Sequence, residues 1–425
     1  YCTAQRRLRN RIQALVRVTA LHSAHNVSGP LAGIRVLEIG SFIAGPFAGQ
    51  LLADYGAEVI KIEPPGAGDP MRKWGHCDER GNSYWWPAIA RNKKSVAIDL
   101  RSETGRSLTR KLAIESDVVL ENFTPGRLAD WKLGFNDLAE DNPKLIMTHV
   151  SGFGQTGPRA SDPGFGSIGE AMGGIRHTTG WPDRPSTRSG ISLGDAIASL
   201  FAVIGTMAAL NERNNSGRGQ EVDVAIYEAV FALMESTVAD YELGGHIRGR
   251  TGSILPGVAP SNIYATADGA DILIAGNADA IFGRICEAMK QPELADNPLY
   301  ATHEARGANQ QQLDALIQDW TSTFPTEELE TILDSFSIPY GRIFTAPDML
   351  SDPQYAARKL IEHYEDEVLG KEVPMAAPTP KFSRTKPEIN WTGPSLGEHT
   401  DQVIQEIAGY TPEEIAALRS QNVIS

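Results

Sequence analysis

From residue 34 to residue 150 short apolar runs alternate with stretches of helical spacing, and this alternation constrains the fold more than any other feature of the chain. The run IRVLEI (34–39) meets a Gly-rich turn, the segment 47–55 carries apolar residues at helical spacing, and a second run follows at 59–62. The pattern returns with a run at 96–100, a helix-like stretch at 103–114, a run at 118–120 and, after a short helix, a run at 145–150. Continuous apolar runs are strands buried on both faces, and such strands lie parallel when helices make the crossovers. The segment therefore predicts βαβ units and a parallel sheet.

The second half reads differently. Residues 195–213 (DAIASLFAVIGTMAALNER) are the most apolar helix candidate, and a second candidate covers 226–241 after the turn NNSGRG and a short strand at 221–225. The loop 243–260 (GGHIRGRTGSILPGVAP within it) is followed by strands near 262–266 and 271–275 around Asp268-Gly269, a dipeptide suited to positive φ in a hairpin turn. Helices near 278–289, 306–321 and 326–336 complete a second unit, so a domain boundary falls in the 243–260 loop.

Composition excludes several function classes. The chain has 425 residues, 41% of them hydrophobic and 22% charged, which is globular composition with enough apolar material for a large core. No uninterrupted apolar run approaches the ~18 residues that span a bilayer, which predicts a soluble chain with no membrane partner. Three scattered cysteines, Cys2, Cys77 and Cys286, form neither a disulfide framework nor a thiolate metal site and suggest a reducing compartment. The net charge of −14 argues against nucleic acid as a partner, because phosphate recognition needs clustered Lys and Arg. Residues 1–29 stand apart: they hold Arg6, Arg7, Arg9, Arg11 and Arg17 and no acidic residue. They read as a mitochondrial transit peptide or as a basic extension, which leaves the expected location cytoplasmic, or the mitochondrial matrix if the head is a targeting signal.

The nine histidines form no HxH or HExxH pattern, so no metal site is expected. No G-x-S-x-G elbow is present, and the first βα turn, Gly40-Ser41-Phe42-Ile43-Ala44-Gly45-Pro46, lacks the G-x-G-x-x-G spacing of a dinucleotide site. Such a turn still offers free N–H groups to an anion. Asp195, in Gly194-Asp195-Ala196, stands where the apolar helix begins. It reads either as an N-cap or as a carboxylate that the helix terminus keeps ionised for nucleophilic attack, and local sequence does not separate the two. His149 and His177 are candidate bases, Trp85-Trp86 a candidate aromatic wall, and Arg248 and Arg250 candidate partners of a phosphate or carboxylate; each also has a structural reading as core, interface or solvated loop.

Taken in order, GPLAGIRVLEIGSFIAGPFAGQLLADYGAEVIKIEPPGAGDPMR, RNKKSVAIDL, ENFTPG, SGFGQTGP, GRGQEVDVAIYEAV, IPYGRIFTAPDMLSDPQ and LGEHTDQVIQEI resemble the family III CoA-transferases, with the α-methylacyl-CoA racemases as cousins. The resemblance implies an α/β fold: a Rossmann-like large domain plus a smaller α/β domain, in an interlocked, ring-like homodimer. It implies boundaries at 1–29 (extension), 30–226 (large domain, N-terminal part), 227–251 (linker), 252–333 (small domain) and 334–425 (return and remainder of the large domain). The active site would lie at the domain and subunit interface.

The resemblance also assigns roles. The family's nucleophilic aspartate falls on Asp195. CoA contacts fall on Ile43 and Ala44 in the first turn, Ile98 and Arg101 after the third strand, and Asn122, Phe123 and Thr124 in ENFT. Where relatives carry Arg in PG-x-L-x-R this chain has Asp130, which moves a phosphate contact to Arg127 or Lys132, and after VIKIE it has Pro64. The implied reaction moves CoA from an acyl-CoA, succinyl-CoA first, to a small carboxylic acid, a dicarboxylate by preference, with CoA thioesters as substrates and no permanently bound cofactor. Racemase-type proton transfer and a non-catalytic CoA-binding paralogue are the alternatives. Phe165, where the racemases carry a proton-transferring His, counts against the first, and Asp195 against the second. Gly166 and the absence of a tetraglycine run in 243–260 count against oxalate as acceptor.

Overall fold

The computed structural model describes residues 28–425; the basic head, read as a transit peptide or an extension, falls almost wholly outside them. The chain divides into two compact units. One takes the described residues up to Gly173, then Ser192–Leu233 and Lys359–Ser425; the other takes Gly174–Ile191 and Met234–Arg358. The sequence reading sets the corresponding breaks at 226, 251 and 333.

The first unit is built on β1 (Arg35–Ile39), α1 (Ala44–Asp54), β2 (Glu58–Glu63), β3 (Lys93–Ala97), α2 (Glu103–Ile114), β4 (Val118–Glu121), β5 (Ile146–Ser151), α3 (Gly166–Met172), α4 (Leu193–Ser216), β6 (Glu221–Ala225) and α5 (Ile226–Phe231). All six strands are parallel, in the order β3-β2-β1-β4-β5-β6. Alternate side chains of a strand point to opposite faces, and the sheet uses this division sharply. Leu37, Ile39, Ile60, Ile62 and Val96 point into a core shared with Leu108 and Leu112 of α2. Glu38, Lys61 and Lys93 point to the face covered by α1. Helix α4 docks on β5 through Thr148 and Thr206, whose hydroxyls lie 2.7 Å apart.

Two expectations change here. Residues 226–241 read as one helix, but the helix ends at Phe231, and Glu235 holds a left-handed backbone (φ 49°) before α6 (Thr237–Gly244) begins. Helix α4 is 24 residues long with a mean hydropathy of 1.8 over its most apolar window, so by length and composition one described helix could cross a membrane. Its polar interruptions are small residues such as Ser199, Gly205 and Thr206, which scarcely lower the average. Half of that window is buried within the protein, as a core helix would be.

In the second unit, β7 (Ser261–Ala265), β8 (Asp271–Ala275) and β9 (Tyr340–Arg342) form an antiparallel sheet. Asp268 ties the hairpin by accepting from the hydroxyls of Thr266 at 2.6 Å and Thr326 at 2.7 Å. Tyr264, Ile272 and Ile274 pack on Phe282 and Ile285 of α7 (Asp279–Ala288), Leu313 and Ile317 of α8 (Gln310–Thr321) and Leu329 and Leu333 of α9 (Thr326–Ser335). The strand β9, unanticipated from sequence, keeps the chain in this unit well past residue 334.

The chain then returns to the first unit through an antiparallel hairpin, β10 (Ile361–Asp366) and β11 (Lys371–Ala376), and two helices, α10 (Thr400–Glu406) and α11 (Pro412–Ser420). Val403, Ile404, Ile415 and Leu418 enter the core beside α2, and Ile424 bridges Ile98 just beyond β3.

Candidate active site

An open parallel sheet binds ligands outside the carboxyl ends of its strands, at the point where the strand order reverses direction. Here that point lies between β1 and β4, whose carboxyl ends lead into the Gly40–Pro46 turn and the Asn122–Thr124 segment. Asn122 joins the two: its Oδ1 accepts from the Ser41 N–H at 3.0 Å, and its Nδ2 donates to the Ser41 carbonyl at 2.8 Å. A Cβ on Gly40 would stand 2.4 Å from Asn122 Oδ1, so the close approach depends on glycine there.

Below the turn lies a buried ion network that sequence reasoning missed. Glu38 accepts from Lys61 and forms an ion pair with Lys93, each at 2.7 Å, and Lys61 also meets Asp69 at 2.8 Å. Glu63 pairs with Arg72 at 2.7 Å and accepts from Ser95 at 2.6 Å. Burial pushes the Glu38 carboxyl up, but the two lysines outweigh it and hold it below the usual range. Burial likewise opposes the charge on Lys61, and Glu38 and Asp69 outweigh it, raising its pKa. Three anions face three cations, so no net charge is buried, the condition under which such groups are tolerated in a core. The network grips the turn at three points: Lys61 donates to the Gly40 carbonyl at 2.9 Å, Lys93 to the Pro46 carbonyl at 2.6 Å, and Asp69 accepts from the N–H of Phe42, whose φ is 64°, at 3.1 Å. The signal was a charge inside the apolar runs VLEI and VIKIE, with Lys93 just ahead of the run that starts at Val96.

Asp195 is not the cap of α4. The helix begins two residues earlier, Ser192 occupies the cap position, and Asp195 sits in the first turn, where the unpaired N–H groups still favour an anion. One turn on, the Ser199 hydroxyl lies 2.6 Å from the Ala44 carbonyl and 2.7 Å from the Asp195 carbonyl. This contact brings the start of α4 to the first βα turn. The Asp195 carboxylate itself rests against Gly166 at the start of α3.

The residues expected around CoA are therefore brought together in part. Ile43 and Ala44, both buried, lie in the turn beside Ser199, and Asn122 faces them across the switch point. Phe123 packs edge-on to Trp131 with ring centroids 5.6 Å apart, Thr124 is exposed, and the Arg127 guanidinium lies 5.7 Å from the Trp131 ring. Ile98 and Arg101 lie beyond β3 at the sheet's edge. Ile98 is sealed in the core by Ile424, and Arg101 is exposed and paired with Asp99 at 2.9 Å. His149 is on β5, buried between Glu121 at 2.5 Å and Glu221 at 3.2 Å. Burial lowers its pKa, and the two carboxylates outweigh that and raise it. The second oxygen of Glu121 accepts from the Phe123 N–H at 2.7 Å, so His149 supports the ENFT segment from behind. Trp86 is core, its ring 3.9 Å from the Arg72 guanidinium, while Trp85 is partly exposed. In the second unit Arg248 is engaged by Glu235 and Asp240, whereas Arg250 donates to the carbonyls of Trp181 and His177. No group of three or more His, Cys, Asp or Glu suited to a metal occurs among the described residues.

Residues 31–400 match the profile of CoA-transferase family III. The chain belongs to that family. Succinyl-CoA–D-citramalate CoA-transferase of Chloroflexus aurantiacus is 54% identical over 395 residues, covering 93% of this chain and 98% of the relative. Succinate–glutarate CoA-transferase of Agrobacterium fabrum is 36% identical over 388 residues, covering 90% and 96%. Among solved structures, a CAIB/BAIF family protein from Brucella suis superposes with a TM-score of 0.80 at 34% identity, covering 89% of this chain and all of that one. This family III member is an enzyme of CoA transfer, and CoA thioesters are its substrates.

Proposed function

We propose that the enzyme transfers CoA from succinyl-CoA to a small dicarboxylic acid through a covalent aspartyl-CoA thioester on Asp195, with D-citramalate as the first acceptor to test. The observation that carries the reading is the placement of Asp195: a carboxylate in the first turn of α4, tied through Ser199 to the turn at the switch point of a CoA-transferase fold. An Asp195 oxygen attacks the thioester carbonyl, giving a mixed anhydride and free CoA thiolate. The thiolate attacks the Asp195 acyl carbon, succinate leaves, and aspartyl-CoA remains. The acceptor carboxylate attacks that thioester and releases the thiolate, which then attacks the acceptor's acyl carbon and regenerates Asp195. Each step exchanges one acyl–oxygen or acyl–sulfur bond for another, so the thioester's energy is retained and no ATP enters. The similarity to transferases that use citramalate and glutarate supports a dicarboxylate acceptor.

The Rossmann-like reading of the large unit is supported by its strand order, which is that of doubly wound nucleotide-binding sheets. The homodimer is supported by an apolar row on α4, Leu200, Ile204 and Met207 at helical spacing, which stays exposed together with Phe231 and Leu233. Peptide mass spectrometry after incubation with succinyl-CoA tests the chemistry. A hydroxylamine-sensitive adduct on Asp195 that discharges to D-citramalate is expected, and its absence with several acyl-CoA donors overturns the covalent reading.

A further inference from the structure

The Asp195 carboxylate packs against bare backbone. A Cβ built on Gly166 would stand 2.2 Å from Asp195 Oδ2, 2.6 Å from Cγ and 2.9 Å from Oδ1, whereas real Cβ contacts essentially never fall under 3.0 Å. Backbone conformation does not explain the glycine, because Gly166 opens α3 and has no positive φ. Alanine would suit that helical position better. The glycine is there for space.

Neither helix can retreat to make that space. A Cβ on Gly194 would already lie 2.8 Å from the Gly166 carbonyl oxygen and 3.0 Å from Glu170 Cγ. The Gly194 N–H donates to the buried Glu170 carboxylate at 3.1 Å, which locks the first turn of α4 onto α3. Behind α3, a Cβ on Gly169 would stand 2.5 Å from Ile226 Cγ2 and one on Gly173 2.6 Å from Val230, so α3 is pressed on α5. The end of a side chain yields at less cost than packed backbone, so the displacement falls on the side-chain torsion of Asp195.

We propose that Gly166 is a positioning residue for CoA transfer: the missing Cβ sets where the Asp195 carboxylate stands to meet the thioester. The inference rests on Asp195 as the nucleophile. An added methyl group must turn the carboxylate aside by on the order of 1 Å, a misplacement of the size that costs about 10²-fold in rate. The switch-point loops are untouched, so the effect belongs in kcat and not in KM for the acyl-CoA.

The test is Gly166→Ala, assayed by steady-state kinetics and by melting temperature in the wild-type and Asp195→Ala backgrounds. The expected results are a kcat lower by about 10²-fold, KM for succinyl-CoA within about twofold, and a melting temperature that falls in the wild-type background but holds or rises once Asp195 is truncated. The thermal cycle is needed because Gly166→Ala alone could fail to fold; recovery of a folded protein in the double variant then supports the steric coupling. An unchanged kcat, a loss confined to KM, or equal destabilisation in both backgrounds overturns the proposal. Failure of the underlying reading is distinguishable: it is an absent Asp195 adduct in the wild-type enzyme, whatever the thermal cycle shows.

Discussion

At the scale of single residues, the site depends on charges placed where solvent cannot screen them. Asp195→Asn keeps the size of the side chain and removes the proposed nucleophile, so it is expected to abolish the adduct and reduce turnover by about 10³-fold or more, with CoA binding by calorimetry retained. Lys93→Met leaves the buried Glu38 with one cation instead of two. Breaking such a pair costs about 3–5 kcal/mol, to be read as a lower midpoint in urea unfolding; a change within about 0.5 kcal/mol would show that the network is dispensable. His149 supplies a pH dependence. Folding raises its pKa, so its contribution to stability is complete below the unfolded-state value of about 6.5 and is lost as pH rises through the folded value. The unfolding free-energy difference between the wild type and His149→Asn should therefore be largest below about pH 6.5 and shrink as the pH rises above it. A difference that grows over that range would mean the imidazole is neutral in the fold.

At the scale of elements, periodicity was informative where a segment makes its own case. Strand β6 and helix α2 occupy the ranges read from the sequence, because strict alternation in EVDVA, helical spacing in ETGRSLTRKLAI and clear ends leave one solution for each. Residues 226–241 carry helical spacing throughout, yet the chain turns at Glu235, where no Gly or Pro marks the break and packing against α3 and α4 decides it. The stretch 306–321 breaks similarly at Asn309, which ends one short helix and starts α8. The hairpin β10–β11 went unread because IEHYED is mostly polar and KEVPMA opens on two charges and contains Pro374. The site shows the same division. Asp195 was visible because family resemblance marks it, and the switch-point loops because both follow legible strands. The ion network was not, since each partner looks like an isolated charge until the sheet registers Glu38 beside Lys61. Gly166 was noted only as a missing side chain; its contact with Asp195 exists only in three dimensions.

At the scale of the molecule, the exposed row on α4 makes assembly testable. Ile204→Glu puts a charge in the centre of that row and is expected to convert a dimer into monomers in sedimentation velocity, whereas a wild-type monomer would remove the basis for a homodimer. The order of the chain has a separate consequence. The first unit is interrupted by the second, and the helices that cover the α2 face of its core, together with Ile424 beside Ile98, come from the final segment. During synthesis the six strands emerge first and then wait while Met234–Arg358 of the second unit is made, on the order of ten seconds at ~5–20 residues per second. For that interval the core between the sheet and α2 lacks the covering helices and Ile424 of the final segment, and it closes only after the small unit has left the ribosome. Production of this enzyme is thus expected to depend on trigger-type holding factors at the ribosome more than its final stability would suggest.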